Sequence, residues 1–174
     1  MNRPTTQLID WANLEFGVLL HFDIEVFDPA WMHISSGKLN PPPDVRLFNP
    51  QQLDTDQWLR AVKAAGATYA VLTAKHVTGF TLFPDPEYDY AIDKTPFQEG
   101  KGDIVKAFIQ SCHKFGIKPG LYYSCEANSY LHIHKSSGNM PTYPSPEWDD
   151  FTRLVSRHLQ HLWSQSPLHS LGWQ

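Results

Sequence analysis

The stretch from Leu53 to Thr73, LDTDQWLRAVKAAGATYAVLT, decides the fold. It reads as a helix that hands over directly to a strand. Asp54 stands where an N-cap side chain would accept the first free backbone N–H groups, and Gln57 three residues later completes a capping box. Leu53 and Trp58 flank that cap in the positions of a hydrophobic staple. Trp58, Ala61, Val62 and Ala65 recur at i, i+3, i+4 and i+7, the spacing of one helix face. Gly66 then supplies the left-handed residue on which helices commonly end. Tyr69–Thr73 (YAVLT) follows as a short apolar run without polar alternation, which suits a strand covered on both faces, as in a parallel sheet.

The same alternation continues on either side. Upstream, Phe16–Phe22 (FGVLLHF) is apolar apart from His21 and reads as a buried strand, followed by a loop reaching to about Gln52 with a stiff Pro41-Pro42-Pro43 segment. Downstream, a loop from Lys75 to Gly102 precedes a helix that starts after Asp103, presents Val105, Phe108, Ile109 and Cys112 on one face, and stops at Gly116. Leu121-Tyr122-Tyr123 belong to a third strand beginning near Ile117. A last helix is capped by Ser145 with Pro146 at its first position, and its expected stripe is Trp148, Phe151, Val155, Leu159 and Leu162. Apolar strands alternating with amphipathic helices predict an α/β protein with parallel strands and crossover helices.

Both a doubly wound sheet and a (β/α)8 barrel have this order. A doubly wound nucleotide fold carries a glycine-rich fingerprint directly after its first strand. HFDIEVF (21–27) has none, which favours the barrel. A whole barrel takes eight strands and about 250 residues, whereas three strands are countable here. SPLHSLGWQ (166–174) makes a poor fourth strand. The expectation is a partial TIM-like (β/α)8 barrel of three βα units, truncated before strand 4. Residues 1–174 form its single N-terminal portion, with an irregular ending at 166–174. The alternative is a small three-stranded α/β domain.

Composition narrows the function classes. The chain has 174 residues, 41% of them hydrophobic and 18% charged, enough for one domain with a core. A net charge of −4 without any basic stripe speaks against nucleic acid as a partner. The two cysteines, Cys112 and Cys125, make no disulfide framework. No apolar run approaches the length of a membrane span, and no charged segment followed by a signal-type apolar core is visible at the N-terminus. Membrane and cofactor are both unexpected; compartment and oligomeric state are not encoded legibly.

In barrels the chemistry sits at the C-terminal ends of the strands, and polar residues gather there. The first strand ends in His21 and Asp23, the second in Thr73, Lys75 and His76, the third in Tyr122, Tyr123, Ser124, Cys125 and Glu126. A neutral sugar is held by hydrogen bonds to its hydroxyls and by aromatic packing on its apolar ring face. His21, Trp31, His76 and Tyr122 could supply both. His21-Phe22-Asp23 with His76 would also fit a metal-ligand set. His132 with His134, and His158 with His161, read as solvated surface histidines. Asp85, Glu87 and Asp89 read as a solvated loop face, and Cys125 as a small residue at the core edge. Glu126 is the carboxylate best placed for a role in a site.

Taken together, three segments resemble the α-L-fucosidase family of glycoside hydrolases. Leu47–Pro84 (LFNPQQLDTDQWLRAVKAAGATYAVLTAKHVTGFTLFP) is similar to the family's FNP…DAxxWxxxAKxAGAKYxVLTxKHHDGFxLWPS. Gly100–Ser124 (GKGDIVKAFIQSCHKFGIKPGLYYS) is similar to KRDIVxExxxAxRKxGLKxGLYYS, and Phe16–Phe22 to FGIFxHW/FG. The resemblance implies hydrolysis of terminal α-linked L-fucose with retention, by a carboxylate nucleophile and a separate acid/base carboxylate. It implies fucosylated oligosaccharides or glycoconjugates as partners. It places His21 at the first-strand histidine that binds fucose hydroxyls, His76 at the first histidine of KHHDGF, Tyr122 at the first tyrosine of GLYYS, and Trp31 at a Glu-Trp pair on the first long loop. Four positions depart from the pattern: Val77 replaces the second histidine, Thr78 the aspartate after it, Ala30 the glutamate of the Glu-Trp pair, and Asp23 the glycine of HWG or HFG. The nucleophile motif IWFDG is absent from the chain, so no catalytic carboxylate and no metal ligand is assigned within it, and inactivity of the chain by itself is expected. A sugar-binding pseudoenzyme and a metal-dependent barrel hydrolase are the other readings.

Overall fold

A parallel strand cannot be joined to its neighbour by a tight turn, so each strand must be followed by a crossover that returns over a face of the sheet. That requirement organises the chain. The computed structural model describes residues 5–28, 31, 42–125, 127–134 and 145–165. Strand β1 (Gly17–Leu20), strand β2 (Tyr69–Lys75) and strand β3 (Lys118–Tyr123) form a three-stranded sheet in the order β1-β2-β3. Both pairings are parallel, with Leu20 opposite Leu72 and Thr73 opposite Tyr122. The fold is therefore α/β with a small parallel sheet. Among the described residues there is no fourth parallel strand, and residues 166–174 lie outside them.

Helix α2 (Thr55–Ala64) makes the first crossover, and its cap is the expected one: Asp54 Oδ1 accepts from the Gln57 N–H at 3.0 Å. Gly66 closes it with φ of +86°. The face it buries differs from the expected stripe. Thr55, Leu59 and Val62 are buried, whereas Ala61 and Ala65 are exposed. With Trp58 and Val62, these two alanines face Val18 and Leu20 across an open apolar groove of about 520 Å³ between α2 and β1. Helix α3 (Ile104–Phe115) makes the second crossover. Asp103 caps it through the Lys106 N–H, Gly116 ends it with φ of +70°, and Val105, Phe108, Ile109 and Cys112 are all buried as expected. A short N-terminal helix, α1 (Thr6–Ala12), was not expected; the Thr5 hydroxyl caps it.

The segment from His76 to Gly102 is a long loop, as the sequence predicts. It is irregular, yet it is core: Phe80, Leu82, Phe83, Tyr88, Tyr90, Ala91, Ile92 and Phe97 are all buried. Its backbone finds partners through isolated bridges, Lys75 with Thr81 and Thr81 with Ala91, rather than through a regular ladder. Phe48 is the pivot of this packing. It has no solvent exposure, and its ring lies 4.8 Å from Phe80, 5.2 Å from Phe27, 5.8 Å from Phe22 and 6.0 Å from Phe97. One side chain thus joins the end of β1 to the long loop beyond β2.

Helix α4 (Pro146–Gln165) starts on Ser145, whose hydroxyl accepts from the Trp148 N–H at 3.2 Å. Phe151 and Leu162 are buried as expected, but Leu159 is 41% exposed and the position facing the core is His158, with 1% exposure. This corrects the reading of His158 as a surface histidine. Its Nδ1 lies 2.8 Å from the Tyr123 hydroxyl, and its Nε2 lies 2.8 Å from Asp85 Oδ2. Asp85 is ionised and can only accept, so Nε2 carries the proton and Nδ1 accepts from Tyr123. Asp85 is likewise not a solvated loop residue. It is buried, and it also accepts from Arg157 at 2.7 Å and from the Glu87 N–H at 2.9 Å. Burial works against the charge on Asp85, but those hydrogen bonds outweigh it and hold the carboxyl below its usual range. For His158 burial dominates, and the imidazole is pushed down to about 4.

Two outcomes follow for this architecture. Phe48→Ala removes the shared ring and should cost about 3–5 kcal/mol of stability, read as a lowered midpoint in urea. A histidine whose folded value of about 4 lies below its ordinary value of 6.5 binds fewer protons folded than unfolded, so stability is full above 6.5 and falls as pH drops toward 4. The shift corresponds to roughly 3 kcal/mol. His158→Gln should be less stable at neutral pH yet lose less on acidification, as measured by urea unfolding across that window.

Candidate functional site

Parallel strands in register end together, so residues just past their C-termini share one rim. His21 follows β1, His76 follows β2, and Tyr122 is next to last in β3. The structure brings these three together. The rings of His21 and His76 meet edge to face with centroids 4.5 Å apart, and His76 lies 5.8 Å from Tyr122. Tyr122 is 41% exposed, so its ring is open to a ligand. His21 is exposed, with Nε2 at 3.5 Å from Glu25 Oε1. Trp31 stands on the loop beyond a 3-10 turn (Ile24–Phe27); it is partly buried, and its backbone N–H donates to the Asp28 carbonyl at 3.0 Å. Glu126 and Ala30 lie outside the described residues.

Beneath this rim is a layer of buried polar groups that sequence reasoning did not connect. Asp23 is buried, caps the 3-10 turn through the Ile24 N–H at 2.7 Å, and has the Thr78 hydroxyl at 2.8 and 3.0 Å from its two oxygens. Burial pushes the Asp23 carboxyl up to about 7, against the lowering effect of those hydrogen bonds. The two positions were separate departures from the family pattern, yet they form one contact across 55 residues of sequence. The only signal available was that a carboxylate lost at 78 and a carboxylate appearing at 23 belong to adjacent strand ends.

Lys75 lies in the same layer, fully covered. Its Nζ donates to the carbonyls of Ser124, at 2.6 Å, and Ala127, and stands 5.1 Å from the centre of the Tyr123 ring. Burial lowers its pKa to about 7, while Cys125 and Asp23 act to raise it. Its donors are thus spent on fixing the loop after β3, not on the open rim. The turn after His76 is pinned as well. Val77 O accepts from the backbone N–H and side chain of Ser129, at 2.8 and 2.9 Å, and Gly79 holds a φ of +95° where a Cβ would fall 2.2 Å from Asn128 Oδ1. That loop carries a short antiparallel ribbon, β4 (Ala127–Asn128) with β5 (Ile133–His134). Cys125 is exposed, not tucked into the core edge.

The rim therefore offers two imidazoles and a phenol, with the Glu25 carboxylate beside His21 and the Asp23 carboxylate held beneath by its own hydrogen bonds. Such a set can donate to and accept from hydroxyl groups. No helix among the described residues is long and apolar enough to cross a membrane.

Comparison with known proteins agrees with the resemblance. Residues 31–166 match the family model for alpha-L-fucosidase. The chain is 34% identical over 122 residues to alpha-L-fucosidase 1 of Arabidopsis thaliana, covering 70% of this chain and 23% of that protein. It is 32% identical over 152 residues to human plasma alpha-L-fucosidase, covering 70% of this chain and 32% of the relative. Among solved structures, a candidate alpha-L-fucosidase from Bacteroides thetaiotaomicron superposes with a TM-score of 0.82 at 36% identity, over 91% of this chain and 36% of that one. The chain spans between about a quarter and a third of the length of these relatives. With the family model matching most of its length and the fold superposing on a family structure, the chain belongs to the α-L-fucosidase family.

Proposed function

We propose that residues 1–174 form the N-terminal portion of the catalytic domain of a retaining α-L-fucosidase, and that their strand-end rim is part of the fucose pocket. The observation that carries this is the convergence of His21, His76 and Tyr122 at the ends of three adjacent parallel strands. In this reading the two imidazoles hydrogen-bond the sugar hydroxyls, and Tyr122 and Trp31 pack against the ring and flank the reacting carbon. Fucosylated oligosaccharides and glycoconjugates are the substrates.

Parallel pairing with helical crossovers supports the further reading that the sheet is the first three βα units of a (β/α)8 barrel. The apolar groove between β1 and α2 is where a neighbouring βα unit of such a barrel would pack. A retaining glycosidase needs two carboxylates on opposite sides of the scissile bond. Asp23 suits neither role, because it is buried and both its oxygens are engaged by Thr78. The family's nucleophile motif IWFDG has no counterpart in residues 1–174, so in this reading the chain binds without turnover.

Saturation-transfer NMR on the 174-residue chain tests the reading. L-Fucose should give signals that D-glucose does not, and His76→Ala and Tyr122→Ala should each abolish most of the intensity. Equal signals from both sugars, or undiminished binding by both variants, would overturn the pocket assignment. No release of nitrophenol from nitrophenyl α-L-fucoside is expected; turnover by the chain would refute the statement about its carboxylates.

A further inference from the structure

We infer that His21, Asp23 and His76 form a binding site for a divalent transition-metal ion of the zinc type. Each offers one ligand atom, and the three atoms lie within 4.8 Å of one another. They come from the ends of two adjacent parallel strands, β1 and β2, and so sit on a rigid frame and not on a wandering loop. Three donors at zinc bond lengths of about 2.0–2.2 Å are separated by roughly 3.3 Å in a tetrahedral arrangement. His21 is exposed and its ring is free of the core, whereas Asp23 is buried and fixed, so ring rotation at His21 would close the remaining gap.

Two of the three donors, Asp23 and His21, have the support that a metal site requires. Metal-binding carboxylates and imidazoles are themselves held by hydrogen bonds that orient them. Here Thr78 and the Ile24 N–H orient Asp23, and the Glu25 carboxylate stands 3.5 Å from the His21 ring. Two imidazoles with one carboxylate select zinc, cobalt, nickel or copper over magnesium or calcium, which prefer all-oxygen sites. Three protein ligands leave at least one position open to water or to a hydroxyl. The family pattern supplies the two histidines but has glycine at position 23, so the third donor is a feature of this chain. A bound ion would occupy the space in which the two imidazoles otherwise meet a sugar. The metal site stands on the donor geometry alone and holds whether or not the rim takes a sugar.

The test is a Co2+ titration of the chelator-stripped 174-residue chain, followed by visible d–d absorption. The expected result is saturation at one ion per chain, reversal by Zn2+, and affinity lowered at least about tenfold by Asp23→Asn, a near-isosteric change, and by His76→Ala. His132→Ala, on an exposed turn, should bind as the wild type does. Circular dichroism and melting curves check that each variant is folded. If a variant fails to fold, proton NMR of the unaltered chain decides instead. Co2+ should shift or broaden two histidine rings beside Tyr122 before the others. No saturable absorption, unchanged affinity in folded Asp23→Asn, or loss in His132→Ala would overturn the site.

Discussion

Burial of strand β2 on both faces is the constraint on which the rest of the structure depends. From Leu72 to Lys75 every residue of this central strand is buried. A strand in that position has no solvent to satisfy its polar groups, so each must find a partner within the protein. Thr73 Oγ1 accepts from the Phe22 N–H and lies 3.3 Å from Leu20 O, which fixes the end of β1. Lys75 reaches two carbonyls beyond β3 and fixes that end. The loop after β2 folds back over the strand and brings the aromatic residues that Phe48 joins. Only where the strands emerge from this covered layer can side chains face a ligand, which is why His21, His76 and Tyr122 share a rim.

The same burial sets the electrostatics beneath the rim. Asp23, Lys75 and His158 are three ionisable groups whose charged forms are all disfavoured chiefly by desolvation. The layer therefore tends toward neutrality, with Asp85 the exception because Arg157, His158 and the Glu87 N–H sustain its charge.

Much of this was legible in the sequence, and the exceptions share a cause. Helices α2 and α3 announced themselves through Asp54 and Gly66, Asp103 and Gly116, because caps are local signals carried by a few adjacent residues. The three strands were legible as short apolar runs. The burial of segment 76–102 was not, because its core residues have neither helical nor strand periodicity; Phe80, Tyr88 and Ile92 are buried by tertiary folding alone. His158 and Asp85 look solvated in the sequence for the same reason, since they are partners across 73 residues. At the rim, residue types and strand ends indicated His21, His76 and Tyr122, but nothing local to Asp23 or Thr78 showed that they touch.

That last contact has an evolutionary consequence. Glycine at position 23 alone would strip Thr78 of its acceptor, and aspartate at position 78 alone would set a second carboxylate against the buried one. Neither single change toward the family pattern leads through a satisfied intermediate, so the fitness effect of each residue depends on the other. The Asp23–Thr78 contact thus makes these two positions epistatic, linking the first strand end to the second.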